Sequence, residues 1–394
     1  MKGSRVRVRE VQGVMTVPKL MGVVAMVLVL CACALLVAGC GSTGASGLYP
    51  VSVDGKWGYI DKTGVIKIQP QFGMANDFSE GLAPVSALVG NQERGYINTS
   101  GTMVIQPQFY LAAAFSEGLA MVEAKSGQDV LCGFIDKTGR LVIPAQYEWT
   151  SVFSEGLCAV MTEKGGQQEW GYIDKTGTMV IQPQPGWDAD FSEGLAAAGG
   201  GNGFIDTKGD EVIQLPSTLV VEGPRSSFSE GLAVVQELPT IEPGVPPRVL
   251  QGYKGYIDKT GAVVIKPQFD SATAFREGLA AVGVTENDVT KWGYIDKTGA
   301  WVIQPQYDDA GFFSEGLAWV GVVVSEGQGG YLPQNDRFSF IDMTGKVVFS
   351  LQQGQVPHAF SGGLAKVDIY TDVTEGPDSM AYVDTTGKVI WQGK

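Results

Sequence analysis

A short motif recurs nine times along this chain of 394 residues, and this repetition limits the possible folds more than any other feature. The first copy, Trp57 to Gly64, reads Trp-Gly-Tyr-Ile-Asp-Lys-Thr-Gly. Further copies follow around Gly95, Gly133, Gly171, Gly203, Gly255 and Gly293, and two divergent copies begin at Phe340 and Tyr382. A second phrase, Phe-Ser-Glu-Gly-Leu-Ala or a close variant, begins at Phe78, Phe115, Phe153, Phe191, Phe228, Phe275, Phe313 and Phe360. Such repeats are typical of arrays in which each unit completes its core against its neighbours.

Each repeat predicts three short β-strands. The Gly-Tyr-Ile-Asp stretch alternates like a strand, Asp-Lys-Thr-Gly has the residues of a tight turn, and Val-Val-Ile returns as a second strand. A proline is expected to end the return strand, because it cannot donate a ladder hydrogen bond. These prolines are Pro70, Pro107, Pro267 and Pro305. A connection led by Gln-Phe or Gln-Tyr then reaches a Ser-Glu-Gly turn, after which Leu-Ala-x-Val forms the third strand, so the predicted class is all-β and antiparallel.

The two ends of the array fix the number of units. Residues 47–52 resemble residues 81–86, so a third strand already precedes the first hairpin, and the chain ends just after the return strand that contains Trp391. Counted this way, residues 48–394 hold about nine three-stranded units. Propellers usually have about four to eight blades of four strands, so we favour an open, curved solenoid. A closed, propeller-like ring, which would hide the strand edges, is the alternative.

The two phrases together resemble those of the WG-repeat family of bacterial proteins, and the resemblance covers nearly all of residues 48–394. It implies β-rich repeats, often behind an export signal, and brings no shared catalytic residue. The chain departs from the family pattern at the motif tryptophan, which only Trp57, Trp170 and Trp292 retain. In the last two copies Ser339 and Ala381 also replace the motif glycine. The tryptophan position must therefore tolerate varied packing or be partly exposed.

The N-terminal segment has the order of an export signal. Residues 1–19 are basic, residues 20–39 are apolar, and Leu36 to Cys40 resemble a bacterial lipobox, which predicts a signal peptide over residues 1–39 and lipidation of Cys40. Residues 40–47 would then form the lipidated end and a flexible Gly/Ser tether. An uncleaved transmembrane helix is the alternative, and Met15 is a second candidate for the start. Either way, the repeat domain is expected outside the cytoplasm, anchored to the cell membrane or the outer membrane.

The net charge narrows the class of partner. The chain has 28 basic and 42 acidic residues, and the signal segment holds five of the former and one of the latter, which leaves 23 against 41 and a net charge near −18. Such a body repels nucleic acid and favours a cationic or neutral partner.

Once the signal is removed, the remaining cysteines are Cys40, Cys132 and Cys158. We expect Cys132 and Cys158 to be apolar core residues, and the sequence does not decide whether they form a disulfide.

The motifs predict no catalytic residue, metal site or cofactor. The chain has one histidine, His358, which argues against paired-histidine zinc sites and a Ser/His/Asp triad. The recurring aspartates sit in hairpin turns, lack the spacing of a calcium loop and are best explained as turn caps, and the recurring Ser-Glu-Gly glutamates are explained as turn residues. We therefore predict a protein that is not an enzyme.

Variation in length collects mainly in one connection, from the third strand to the next hairpin. This connection is extended over residues 236–254, 321–337 and 369–379, whereas the long stretch 214–227 belongs to a different connection. Loops on a rigid frame commonly carry binding, although drift in length without function is a slightly better explanation of any one loop. The candidate binding residues in these loops are Glu237, Arg248, Tyr253, Tyr331, Asn335, Arg337 and Tyr370.

The leading functional hypothesis is a lipid-anchored scaffold that binds a protein or a cell-envelope glycan. A purely structural surface spacer is the alternative, and a hydrolase of envelope polymers is a remote third.

Overall fold

The computed structural model describes residues 46–88, 93–186, 189–221, 227–238, 252–322, 337–371 and 377–393, within a compact unit that spans Ser42–Lys394. The described residues form nine antiparallel sheets that succeed one another along the chain. Each sheet packs on the next, and the ninth packs on the first. The fold is a nine-bladed β-propeller.

The strands of the first five blades have the following bounds. Blade 1 contains β1 Leu48–Val53, β2 Lys56–Asp61 and β3 Ile66–Phe72; blade 2 contains β4 Met74–Ala75, β5 Leu82–Ser86, β6 Arg94–Asn98 and β7 Met103–Phe109; blade 3 contains β8 Leu111–Ala112, β9 Ala120–Ser126, β10 Asp129–Ile135 and β11 Leu141–Tyr147. Blade 4 contains β12 Trp149–Thr150, β13 Leu157–Lys164, β14 Gln167–Asp174 and β15 Met179–Gln184; blade 5 contains β16 Leu195–Ala197, β17 Gly203–Asp206 and β18 Glu211–Gln214, with a 3₁₀ turn at Gly199–Gly201.

The remaining blades have four strands each. Blade 6 contains β19 Leu219–Val221, β20 Leu232–Glu237, β21 Lys254–Asp258 and β22 Val263–Phe269; blade 7 contains β23 Ser271–Ala272, β24 Leu279–Glu286, β25 Val289–Asp296 and β26 Trp301–Tyr307. Blade 8 contains β27 Asp309–Ala310, β28 Leu317–Val322, β29 Arg337–Asp342 and β30 Val347–Ser350; blade 9 contains β31 Gln355–Ser361, β32 Leu364–Ile369, β33 Ser379–Asp384 and β34 Val389–Gln392. We call the strands of a full blade a, b, c and d in chain order; the described parts of blades 1 and 5 supply b, c and d.

The prediction of three strands per unit missed strand a in most blades. The three predicted strands are b, c and d, and strand a forms in what the sequence indicated as a connection after Gln-Phe or Gln-Tyr. Strand a pairs over only two residues in blade 2, where Met74 opposes Ser86 and Ala75 opposes Val85. A pairing this short leaves no alternating pattern in the sequence.

The predicted open solenoid is wrong, because the last blade packs on the first. The Tyr382 ring of blade 9 lies 5.5 Å from the Tyr49 ring of blade 1, and the Tyr382 hydroxyl donates a hydrogen bond of 3.1 Å to the Pro50 carbonyl oxygen. One buried cluster contains Val51 and Ile60 of blade 1 together with Leu364, Met380 and Tyr382 of blade 9. The ring closes through side chains rather than through strand pairing, so the strand sequence alone gives no sign of it.

The same aromatic contact joins successive blades around the ring. In each case the motif aromatic of strand c meets the phenylalanine of the next blade's Phe-Ser-Glu-Gly phrase; Tyr96 and Phe115, for example, lie 5.0 Å apart at an edge-to-face angle of 61°. The pairs are Tyr59–Phe78, Phe134–Phe153, Tyr172–Phe191, Phe204–Phe228, Tyr256–Phe275, Tyr294–Phe313 and Phe340–Phe360. Such pairs contribute roughly 0.5–1.5 kcal/mol each beyond their buried area, so the two recurring phrases hold the blades together.

The motif glycine fits strand c against strand d. A Cβ at Gly58 would lie 2.7 Å from Pro70 N, because the pairing of β2 with β3 shifts register between Trp57 and Tyr59. Pro70 therefore lies inside strand d at this irregularity, and the prediction that it ends the strand is wrong.

The exposed valines of strand d, such as Val104 and Val302, mark the outer rim of the ring, and strand a, at the opposite edge of the sheet, faces the axis.

In the described part of the chain, no helix has both the length and the apolar character that a membrane span requires. The predicted signal peptide and Cys40 lie outside the described residues.

Candidate functional site

Strand order divides the ring into two faces. In each blade strands a and c run in one direction and strands b and d in the other. The a–b turns and c–d hairpins therefore emerge on one face, which we call the turn face. The b–c links and the connections from d to the next blade emerge on the other, which we call the loop face.

The turn face is held together by a repeated glutamate contact. The Glu117 carboxylate of blade 3 accepts a hydrogen bond of 3.0 Å from the Gly156 N–H of blade 4, and Lys175 Nζ lies 2.9 Å from the same oxygen. The same carboxylate-to-glycine contact links Glu80 to Gly118, Glu155 to Gly194, Glu193 to Gly231, Glu230 to Gly278, Glu277 to Gly316 and Glu315 to Gly363. The recurring glutamates thus connect blades.

The preceding serine makes a second link between blades. The Ser116 hydroxyl donates a hydrogen bond of 2.7 Å to the Phe153 carbonyl oxygen of the next blade. In blade 7 Arg276 replaces this serine, and its guanidinium lies 4.5 Å from the centre of the Phe312 ring of blade 8.

The recurring aspartates cap the hairpins of the turn face, as the turn sequence predicts. Asp61 Oδ1 accepts hydrogen bonds from Thr63 N at 2.8 Å, from the Thr63 hydroxyl at 2.6 Å and from Val65 N at 3.1 Å. These hydrogen bonds stabilise the carboxylate and lower its pKa below the ordinary value. At Asp136 the same set, led by the Thr138 hydroxyl, lowers the pKa to about 2.

The connections extended between strands b and c emerge on the loop face, whereas a fourth extended stretch, residues 214–227, lengthens a different connection. The three extended b–c links belong to blades 6, 8 and 9. Residues 214–227 run across strand a of blade 6, and Val221 opposes Val235 there as Ala75 opposes Val85 in blade 2. Most of the extra length follows Val221, in the connection from strand a to strand b, which belongs to the turn face. This stretch therefore breaks the one-edge pattern, as the sequence indicated.

The structure describes four of the predicted binding residues. Glu237 and Tyr253 are exposed neighbours at the base of the blade 6 link, where Glu237 N donates a hydrogen bond of 2.8 Å to the Tyr253 carbonyl oxygen. Arg337 is exposed at the start of β29 and opposes Val322. Tyr370 is half-buried at the end of β32, and its N–H donates to the Gly354 carbonyl oxygen. The predicted residues Arg248, Tyr331 and Asn335 lie outside the described part of the chain.

A charged group near the blade 7–blade 8 junction was missed by sequence reasoning. Lys291 Nζ forms an ion pair with Asp308, which immediately follows strand d of blade 7. The adjacent Asp309 is half-buried, and burial raises the pKa of its carboxyl group even though Ala310 N–H donates a hydrogen bond of 2.8 Å to it. In the sequence, the signal for this charged group was the pair of aspartates directly after Gln306-Tyr307. Its place on the loop face depends on strand order.

The motif tryptophans are partly buried, as their variation between repeats predicts. Trp57, Trp170 and Trp292 all have intermediate exposure. Trp170 meets Trp149 edge to face, with ring centres 4.8 Å apart. These rings serve as packing residues near the loop face.

Cys132 and Cys158 are buried in one cluster and form no disulfide. Burial raises the pKa of the Cys132 thiol to about 12 and that of Cys158 above its ordinary value. Both are therefore unreactive core residues. Within the described ranges, no three His, Cys, Asp or Glu side chains are grouped to hold a metal ion.

Comparison with solved structures gives only low similarity. A crystal structure of the eukaryotic initiation factor is 10% identical over 90% of this chain and 86% of its own, with a TM-score of 0.42. Prolyl oligopeptidase B from Galerina marginata is 11% identical over 88% of this chain and 51% of its own, with a TM-score of 0.40. Puromycin hydrolase is 10% identical over 88% of this chain and 61% of its own, with a TM-score of 0.35. No curated protein matches the sequence. These values support no inference about function.

The family model described as the WG containing repeat matches residues 57–86, 95–126, 133–165, 170–198, 255–285 and 292–322. Each segment runs from strand c of one blade to strand b of the next, so each repeat is shared between two blades. Six of the nine repeats of this propeller thus match the model of the WG containing repeat.

Proposed function

We propose that this protein is a binding scaffold that holds its partner on the loop face of the propeller. The observation that carries the proposal is the asymmetry of the two faces. Recurring polar residues of the turn face are used to join blades or to cap hairpins, whereas three of the four extended connections, the b–c links of blades 6, 8 and 9, emerge on the loop face. Variable loops on a rigid frame commonly carry binding.

Charge narrows the class of partner. The net charge of −14 for the whole chain disfavours polyanions and favours a cationic or neutral protein or envelope polymer. The N-terminal lipobox resemblance supports a lipid anchor at Cys40 that would hold the scaffold at the surface of a bacterial membrane.

The chain supplies its own short link for a loop exchange. In blade 7, β24 and β25 are joined by Asn287 and Asp288, which have φ values of 52° and 62°, as a two-residue hairpin turn requires. Replacing the long links of blades 6 and 8 with Asn-Asp should leave the ring intact and abolish binding to isolated envelope fractions, measured by co-sedimentation. The matched control replaces Asn287-Asp288 with Asn-Gly, which keeps every long link and should bind normally.

The outcome distinguishes the scaffold from its main competitor. If the loop-exchanged protein has an unchanged circular dichroism spectrum and binds as well as the parent, the loop face is not the binding surface. Loss of binding only in the loop-exchanged protein supports the proposal. Purified envelope proteins and purified envelope glycan, tested separately, identify the class of partner.

A structural spacer is the second candidate, and the turn face favours it. The recurring glutamates and serines stabilise the ring, which is what a rigid spacer needs. A spacer predicts that the loop-exchanged protein supports normal growth and envelope integrity in cells, whereas a scaffold predicts the phenotype of a full deletion.

A further inference from the structure

The chain enters the ring on the turn face. At the start of β1, Leu48 opposes Asp61, the residue that opens a turn-face hairpin, so β1 is the strand b of blade 1 and runs from the turn face to the loop face. Gly47, directly before β1, stands where Gly81 ends the Ser-Glu-Gly turn of blade 2, and the two glycines have positive φ values of 61° and 88°. The first strand therefore begins at the level of the a–b turns.

The beginning of β1 is held firmly in the ring. Tyr49 and Val51 are buried in the cluster that joins blades 9 and 1. Leu48 N donates a hydrogen bond of 3.3 Å to the Ser46 hydroxyl oxygen, which keeps Ser46 beside the strand. Cys40, the predicted lipidation site, comes six residues before Ser46 in the sequence. Six residues extend to at most about 20–22 Å, so a lipid on Cys40 would hold the turn face within that distance of the bilayer.

The loop face is too far from this entry point for the same link to reach. In blade 4, β13 spans Leu157–Lys164 and rises from the turn face to the tip of the b–c hairpin. A strand of this length rises by about 23 Å, at roughly 3.3 Å per residue. In blade 7, β24 has the same length, Leu279–Glu286. A fully extended link that ran straight along the axis would therefore end short of these tips, and the b–c links of blades 6, 8 and 9 are longer still in sequence.

The turn face suits a surface that lies close to a bilayer. Its c–d hairpins are tight turns, such as the one in which Gly64 N donates a hydrogen bond of 2.9 Å to the Asp61 carbonyl oxygen. The ion pairs between its blades are neutral, as in the contact of Lys175 with Glu117, and each hairpin aspartate adds a negative charge. Charge therefore gives this face no attraction for an anionic bilayer, and the short link alone sets its orientation.

We propose that the turn face lies against the membrane that holds the anchor, so that the loop face points away from it. This inference rests on the proposed function, because it requires a lipid at Cys40 and a partner on the loop face. It narrows the class of partner to a protein or polymer in the aqueous space beyond the anchoring membrane. A partner that lay flush in that membrane would meet the turn face, where the recurring side chains already join blades and cap hairpins.

Two labelled positions on opposite faces test the orientation. The full-length protein is purified from membranes with its lipid and reconstituted into phosphatidylcholine vesicles that contain a trace of rhodamine-labelled phosphatidylethanolamine. A donor dye is attached to Thr207→Cys, in the blade 5 hairpin of the turn face, or to Gln167→Cys, at the tip of the blade 4 hairpin on the loop face; both residues are exposed. Cys132 and Cys158 are buried and stay unlabelled. We expect energy transfer to the labelled lipid to be about twofold or more stronger from the turn face, because the height of a blade separates the two sites.

A variant with a longer link is the matched control. Insertion of about twenty Gly/Ser residues before Ser46 should remove the difference between the two dyes, because a flexible link of that length lets the ring rotate freely. Equal transfer from the two sites in the parent, or a difference that persists with the longer link, overturns the orientation. A parent that does not associate with the vesicles overturns the lipid anchor itself and the orientation with it. Because no partner is added, none of these results depends on whether the loop face binds one.

Discussion

The Tyr49 hydroxyl of blade 1 donates a hydrogen bond to the Gly362 carbonyl oxygen of blade 9. At the other junctions the phenylalanine of the next blade's Phe-Ser-Glu-Gly phrase packs on the motif aromatic; here Tyr49, from strand b, packs on Tyr382 instead. In blade 9 the Ser-Glu-Gly turn reads Ser361-Gly362-Gly363. This junction therefore also lacks the glutamate contact that links each blade from blade 2 to blade 8 with the next one. Tyr49 therefore supplies both the aromatic contact and a hydrogen bond to the turn at this junction.

Substitution of Tyr49 should weaken the closure of the ring. Tyr49→Phe removes one hydrogen bond and should lower the free energy of unfolding by about 0.5–1.5 kcal/mol, whereas Tyr49→Ala also removes the buried ring and should cost about 3–5 kcal/mol. Urea denaturation gives the magnitudes, and hydrogen exchange should increase first in blades 1 and 9. Tyr110→Phe, at an exposed tyrosine, is the control. Uniform exchange around the ring in Tyr49→Ala would show that this junction is no weaker than the others.

The turn glutamates combine a strained backbone with a useful side chain. Glu117 has a φ of 53°, in the left-handed region that costs roughly 1–2 kcal/mol for a residue other than glycine. Glu117→Gly should relieve that strain but lose the contacts with Gly156 and Lys175, so the two effects should nearly cancel. Glu117→Ala loses the contacts and keeps the strain, and should be less stable than Glu117→Gly by about 1 kcal/mol. Thermal melts of the three proteins test this order, and equal stability of the glycine and alanine variants would contradict it.

The sequence predicted the strands and turns that repeat, because their causes are local. Asp61 and Gly64 set a hairpin through contacts within five residues, and the prediction of that turn is confirmed. The closed ring could not be predicted in the same way. It depends on Tyr49 meeting Tyr382, residues separated by most of the chain, and on a strand a of two residues that has no pattern of its own.

The candidate site was predictable only in part. Length variation in the b–c links predicted one edge, and the strand order places these links on the loop face, whereas residues 214–227 lengthen the a–b connection of blade 6 on the turn face. By contrast, the ion pair between Lys291 and Asp308 joins a residue of strand c in blade 7 to the residue that follows strand d. That contact depends on strand pairing, which the repeat motifs do not reveal.

Gly293 should resist substitution, whereas the equivalent position of blade 9 already carries alanine. A Cβ at Gly293 would collide with the Ile303 carbonyl oxygen and lie 2.7 Å from Pro305 N. Gly293→Ala should therefore destabilise the protein by roughly 1–3 kcal/mol or more. In blade 9 Ala381 faces a strand d of only four residues, without a proline, so Ala381→Gly should cost only about 0.5–1 kcal/mol. Denaturant midpoints compare the two, and a Gly293→Ala variant as stable as the parent would refute the close-contact explanation.

The hairpin aspartates should make stability fall at acidic pH. Hydrogen bonds from the turn lower the pKa of Asp136 to about 2, below the ordinary value of 3.8 expected in the unfolded chain. A lowered folded-state pKa means that this stabilisation is complete above about pH 4 and is lost as the pH falls from there towards 2. The pKa of Asp61, Asp174, Asp258, Asp296, Asp342 and Asp384 is lowered in the same direction.

Blade 2 provides a natural control for this pH dependence. Its hairpin has Asn98 in place of aspartate, and the Asn98 side-chain oxygen still accepts hydrogen bonds from Ser100 N at 3.1 Å, the Ser100 hydroxyl at 2.7 Å and Thr102 N at 3.0 Å. Asp136→Asn should therefore fold normally at pH 7 and lose less stability than the parent between pH 4 and pH 2. Melting temperatures of both proteins across this range decide the point. Parallel curves would mean that the Asp136 carboxylate contributes no pH-dependent stability.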